Sequence, residues 1–269
     1  MNLYYKYFIR DEKSRSFLEN LKKEEKIDFF EIADYSQTTD NILNDIKELH
    51  INNKIYHSQN KKFGFFYYYS NKDSDIYKKL EKNWFDYWEQ EFKYSNSINC
   101  RKMVIHFIQY SYSNNRNTRI QFMKENYEYL KFLFNLSEKY NVKIYFENSF
   151  EKNPVEFFDV IEFINDNFKT EYGICFDIGH ANVWGNNNAT TIDWINDIEK
   201  SNKDIHYHLH TNSGMIDSHQ SIASMIDNKG VENIKKGLHT LLERKMINNA
   251  TLEVDYDYFL EDANYLRSF

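Results

Sequence analysis

Short apolar runs alternate along this chain with longer segments whose apolar residues recur at helical spacing, about eight times over. The runs predict strands over 2–9, 27–33, 53–57, 102–108, 142–148, 172–178, 204–211 and 250–255. The clearest helix is predicted over 119–140, where Ile120, Met123, Tyr127, Leu130, Phe134 and Leu136 form one stripe. A second, over 231–245, carries Ile234, Leu238, Leu241 and Leu242. Pro154 after Asn153 opens a third, since proline suits the first helical position. The Tyr- and Trp-rich stretch 63–94 reads as an elaborated loop followed by a helix from about Ser74. Eight strands alternating with helices imply a parallel sheet with right-handed crossovers. Closed on itself, that sheet is an eight-stranded (β/α)8 TIM barrel, an α/β fold expected to occupy residues 1–269 as a single domain. Such a barrel takes about 250 residues. An open doubly wound sheet fits less well, because no Gly-rich nucleotide turn follows the first strand.

Composition narrows the setting. Apolar residues make up 41% of the 269, enough for a sizeable core, and aromatics reach 18%. With 7 Gly and 1 Pro, turns must rely on Asn, Asp and Ser. The net charge of −7 gives no basic footprint for nucleic acid, although bound metal ions would alter the local field. Cys100 and Cys175 have no disulfide-framework spacing, and the N-terminus lacks a long uncharged apolar stretch. No window of about 20 apolar residues is present, so no membrane association is expected and the cytoplasm is the expected compartment. The oligomeric state has no signature in the sequence.

The candidate chemistry sits at the ends of the predicted strands. His57, His106, Glu147, Asp177, His180, His208, Asp217, His219 and Glu253 nearly all close a short apolar run. A barrel gathers such residues from many strands into one site at its C-terminal mouth. Asp177 and His180 form an Asp-x-x-His pair across a turn that Gly179 makes flexible. His206, His208 and His210 occupy alternate positions and point to one face of their strand. They cannot all serve one ion. His208 is the expected ligand. His206 is read as deeper and supporting, and with Trp184 it is the candidate for substrate contact. His210 is expected to face substrate as a catalytic group. Glu147, Asp177, Asp217 and Glu253 bring four negative charges into one cavity, which without cations would force some pKa values upward. Three divalent ions would turn −4 into +2, a balance suited to a phosphodiester. Mixed imidazole and carboxylate donors suit Zn²⁺ first, then Mn²⁺ or Fe²⁺.

These residues resemble the xylose-isomerase-like barrel superfamily, in particular its endonuclease IV (AP endonuclease family 2) branch, from about Ile27 to Asp255. The matching motifs are Glu147-Asn148, Asp177-Ile178-Gly179-His180, His208-Leu209-His210, Asp217-Ser218-His219 and Leu252-Glu253. The resemblance implies a trinuclear zinc site. Glu147 would bridge two ions together with Asp177, His208 and Glu253. His57 and His106 would complete one shell, and His180, Asp217 and His219 another. It implies phosphodiester hydrolysis, with abasic DNA as one substrate. The related sugar isomerases and epimerases imply an alternative. There, one ion is held by Glu147, Asp177, His208 and Glu253, and the two glutamates transfer a proton on a sugar or sugar phosphate. Two glycine motifs of the endonucleases are replaced here by Ser149-Phe150-Glu151-Lys152 and by Gln220-Ser221-Ile222-Ala223. Those replacements point toward a smaller substrate.

Overall fold

The computed structural model describes residues 1–8, 12–23, 29–33, 46–47, 51–58, 74–106, 115–149, 151–183, 190–226, 228 and 230–269. Its eight strands are β1 (Asn2–Phe8), β2 (Phe29–Ala33), β3 (Asn53–His57), β4 (Lys102–His106), β5 (Lys143–Glu147), β6 (Gly173–Asp177), β7 (Asp204–Leu209) and β8 (Asn249–Leu252). Each pairs in parallel with the next, and β8 returns to β1 with Ala250 opposite Leu3, closing the barrel.

Strand alternation splits the apolar residues into two cores. One set, including Tyr5, Phe30, Ile32, Met103, Ile144, Phe146, Phe176 and Leu209, faces outward and packs under the helices. Tyr4, Ile55, Val104, Tyr145 and Cys175, with Phe29 against them, form a separate plug inside the barrel. Two residues further along each strand, the same inward face turns polar: Lys6, Glu31, His57, His106, Glu147 and Asp177. The plug is therefore a floor, and the polar layer above it lies toward the C-terminal mouth.

Helix starts follow their local chemistry. Ser74 caps the helix Asp75–Ser97, its side chain accepting from the Tyr77 N–H at 3.2 Å. Asn153 does the same for Pro154–Asn167, accepting from the Glu156 N–H. The continuous helix expected over 119–140 is two, Arg116–Glu125 and Tyr127–Tyr140. Asn126 divides them: its side-chain amide donates to the Phe122 carbonyl at 2.8 Å, a local bond that competes with helix propagation. Strand ends also differ. β6 stops at Asp177, where the helix Ile178–Val183 begins, and β7 stops at Leu209. β8 ends at Leu252, so Glu253 lies just past it, although its N–H still donates to the Leu209 carbonyl.

Candidate metal centre

All nine strand-end residues converge on the mouth of the barrel in overlapping groups, within which three clusters of close contacts, or pockets, stand out. In the first, the Nε2 atoms of His106 and His57 lie 2.9 and 3.3 Å from Oε2 of Glu147. In the second, Nδ1 of His208 is 3.0 Å from the other Glu147 oxygen, 3.1 Å from Glu253 Oε1 and 3.8 Å from Asp177 Oδ2. In the third, Asp217 Oδ2 receives Nε2 of His219 at 3.0 Å and of His180 at 3.2 Å. Glu147, with no exposed surface, thus turns one oxygen to each of the first two pockets.

The opposite ring nitrogens show what these pockets are built to hold. Nδ1 of His57 donates to the Ser58 carbonyl at 3.0 Å, Nδ1 of His180 to the Asn148 carbonyl at 2.8 Å, and Nδ1 of His219 to the Glu253 carbonyl at 3.1 Å. A carbonyl can only accept, so each Nδ1 carries the proton. The remaining nitrogen of a neutral ring then presents a lone pair to a carboxylate oxygen. Two acceptors about 3 Å apart repel unless a proton or a metal cation lies between them. His57 Nε2, Glu147 Oε2 and Asp217 Oδ1 are buried and make no hydrogen bond. Such orphans are rare in native interiors and mark an absent partner. One nitrogen anchored outward and one aimed inward is the arrangement of ligating imidazoles. The donor set therefore fits divalent metal.

The electrostatics of the same groups are those of paired acids and bases. Burial opposes ionisation, yet the imidazoles of His106 and His208 hold the Glu147 carboxyl well below its ordinary range. Asp177, Asp217 and Glu253 are likewise held low against burial, chiefly by His180, by His180 with His219, and by His208 with Lys6 respectively. Burial also opposes protonation of His180 and His208, but Asp177 and Asp217 raise the first, and Cys175 with Glu253 the second, well above the usual imidazole range. Burial pushes His57 down, toward the unprotonated form that a metal ligand needs.

Neighbouring groups hold the ligands in place. The Asn148 side chain clamps the Asp177 backbone, accepting its N–H at 2.8 Å and donating to its carbonyl at 2.9 Å. The His180 N–H donates to Asp177 Oδ1 at 2.7 Å, and His210 Nε2 lies 3.2 and 3.3 Å from Oδ1 and Oδ2, so both carboxylate oxygens are held. His219 sits at φ 44°, a left-handed backbone few non-Gly residues adopt, within the turn that aims its ring at Asp217.

The structure buries both histidines considered for substrate contact. His210, expected to face substrate, is fully buried, stacked 4.2 Å beneath His219 and packed against Gly179, where an added Cβ would overlap its ring. His206, read as a deeper supporting group and as a candidate for substrate contact, lies one layer down, its Nε2 2.8 Å from Thr251 Oγ1. Trp184 lies outside the described residues. Two further groups enter the polar layer that a search of strand ends passes over. Glu31, on β2, reaches His208, and Lys6, on β1, pairs with Glu253. Both stand two residues beyond an inward aromatic, Phe29 and Tyr4, and a charge at that step of an apolar strand is the available signal.

A closed parallel barrel with its polar groups gathered at the strand ends is the architecture of the α/β barrel enzymes. Over residues 21–268 the sequence matches the model of the xylose isomerase-like TIM barrel family, and the chain belongs to that family. Among solved structures it is similar to the TTHB071 protein of Thermus thermophilus, soaked with zinc chloride. The two share 15% identity at a TM-score of 0.74, covering 100% of this chain and 97% of that one. A putative xylose isomerase of Rhodospirillum rubrum superposes at 0.72 with 9% identity, covering 100% and 99%. A D-tagatose 3-epimerase-like protein superposes at 0.65 with 17% identity, covering 98% and 96%. At these identities the likeness is one of fold. No curated protein matches the sequence.

Proposed function

We propose that the protein is a divalent-metal-dependent hydrolase of a phosphodiester, with its nine strand-end residues holding up to three ions. The observation that carries this reading is the division of the donors into three pockets, with Glu147 turning one oxygen to each of two. A one-ion isomerase needs only the second pocket. It has no use for His57 and His106 aimed at the far Glu147 oxygen, or for the His180–Asp217–His219 group. Zn²⁺ matches the donor set best, with Mn²⁺ and Fe²⁺ next. When bound, such ions activate water and neutralise charge developing on phosphoryl oxygens. The protein residues supply the rest. Asn148 and His210 fix Asp177, and the backbone carbonyls of Ser58, Asn148 and Glu253 fix ring orientation.

Charge supports the same substrate class. Among the described residues, the layer contains five carboxylates (Glu31, Glu147, Asp177, Asp217, Glu253) against one ammonium (Lys6), a net −4 when the imidazoles are neutral, as ligands are. Three divalent ions make it +2, which attracts an anion.

A second reading rests on the quartet around His208 Nδ1, where Glu147 and Glu253 lie 3.0 and 3.1 Å from one nitrogen. That quartet suits a single-ion isomerase or epimerase of a sugar or sugar phosphate, with the two glutamates moving the proton. Elemental analysis separates the two: about three ions per chain supports the hydrolase, one supports the isomerase. It is to be paired with assays on an abasic-site duplex, a simple phosphodiester and a ketohexose. His106→Ala cripples a multinuclear hydrolase and leaves a one-ion isomerase largely active.

A further inference from the structure

Glu31 has no part in the nine-residue set, yet it is among the most deeply buried charges in the barrel, with no exposed surface. It leaves β2, crosses the interior and accepts from His208 Nε2 on β7 at 2.9 Å. β2 and β7 are not neighbours, so sheet pairing does not require this contact. The same oxygen, Oε2, also accepts from Thr251 Oγ1 at 2.6 Å. Its other oxygen makes no hydrogen bond and faces the Lys6 ammonium at 3.7 Å. Lys6 in turn bonds Glu253 Oε1, the oxygen that lies 3.1 Å from His208 Nδ1. Fixing a neutral ring would take only a neutral acceptor, and burying a carboxylate is costly. His206 Nε2 lies farther from the same oxygen, at 3.4 Å, so a full negative charge stands closest behind the His208 imidazole, with an ammonium beside it.

We propose that Glu31 is the positioning residue of the second pocket. It holds the His208 proton on Nε2, so that the Nδ1 lone pair faces the pocket, and through the ring it strengthens that nitrogen as a donor to a divalent cation. A carboxylate behind a ligating imidazole acts in this way generally. Lys6 is the counter-ion that makes this carboxylate tolerable in the floor of the pocket. The inference rests on the metal-centre reading above.

The test is Zn²⁺ and Mn²⁺ binding by the purified full chain, titrated against a chromophoric chelator, with Co²⁺ absorption spectra in parallel. Glu31→Gln preserves shape and an acceptor but removes the charge. It is expected to weaken the tightest site by about 10- to 100-fold, the usual effect of losing an outer-shell partner. It also shifts the Co²⁺ bands and leaves melting of the metal-free protein close to wild type. Thr251→Val, which removes the second bond to the same oxygen and the bond to His206 but leaves His208 untouched, keeps near-native affinity. Glu31→Gln with wild-type affinity and an unchanged Co²⁺ spectrum overturns the inference. So does Thr251→Val weakening the ion as much as Glu31→Gln, since that assigns the loss to packing. A wild-type chain that binds neither ion overturns the metal-centre reading instead.

Discussion

At the scale of single residues, the centre is a matter of which atom faces which. Five carboxylates survive beside one another because imidazoles and one ammonium stand between them. Glu151 lies outside that arrangement. It is buried, its Oε2 accepts the Ser149 N–H at 2.8 Å, and burial pushes its carboxyl up to about 7 from an ordinary 4.5. The folded chain prefers this group protonated, so its contribution to stability is complete below pH 4.5 and is lost as pH rises through 7. Glu151→Gln stays neutral throughout. It is expected to match wild type near pH 4.5 and to exceed it above pH 7, by on the order of 3 kcal/mol. Denaturant melts at both pH values read this directly. Equal gaps at the two pH values would contradict it.

At the scale of elements, the strand is the unit that the sequence discloses best. His57, His106, Glu147 and Asp177 each end a strand whose previous inward residue is apolar, so an ordinary alternation exposes them. Lys6 and Glu31 obey the same alternation but sit inside their runs, with apolar residues following, so a search of run ends does not reach them. Turns carry less signal. The burial of His210 depends on the loop after β7 folding back, with Thr211 and Gln220 paired as an isolated antiparallel bridge, and no periodicity encodes that return. The helix break at Asn126 is hidden for the opposite reason: the apolar stripe continues through it. The helix that begins directly after β6 leaves no room for a side chain on Gly179. Gly179→Ala is therefore expected to displace the His210 ring, cost about 1–3 kcal/mol of stability and loosen Asp177. Thermal melts together with metal affinity check it, and a variant unchanged in both would show that the loop has slack.

At the scale of the molecule, closure of the barrel brings part of the centre together. Lys6 on the first strand meets Glu253 just past the last, at the seam where β1 and β8 pair. Ion binding to the folded state alone should therefore stabilise the whole barrel. The gain is about 2.7 kcal/mol at a hundredfold excess over the dissociation constant. Chelation is expected to lower the melting temperature and added Zn²⁺ to restore it. The restoration fades in acid, because His180, His208 and His219 keep their protons with pKa values raised by nearby acidic side chains against burial, and ions must displace those protons. Calorimetric melts at two pH values, with and without chelator, measure both effects.

The twofold reach of Glu147 has a consequence for how such a centre can change. One short side chain answers to two neighbours through a single rotatable end group. Turning it to favour His106 and His57 turns it away from His208. In the proposed multi-ion hydrolase, occupancy on one side is therefore felt on the other, and metal preference would not drift on one side alone. Adaptation here has to move in pairs.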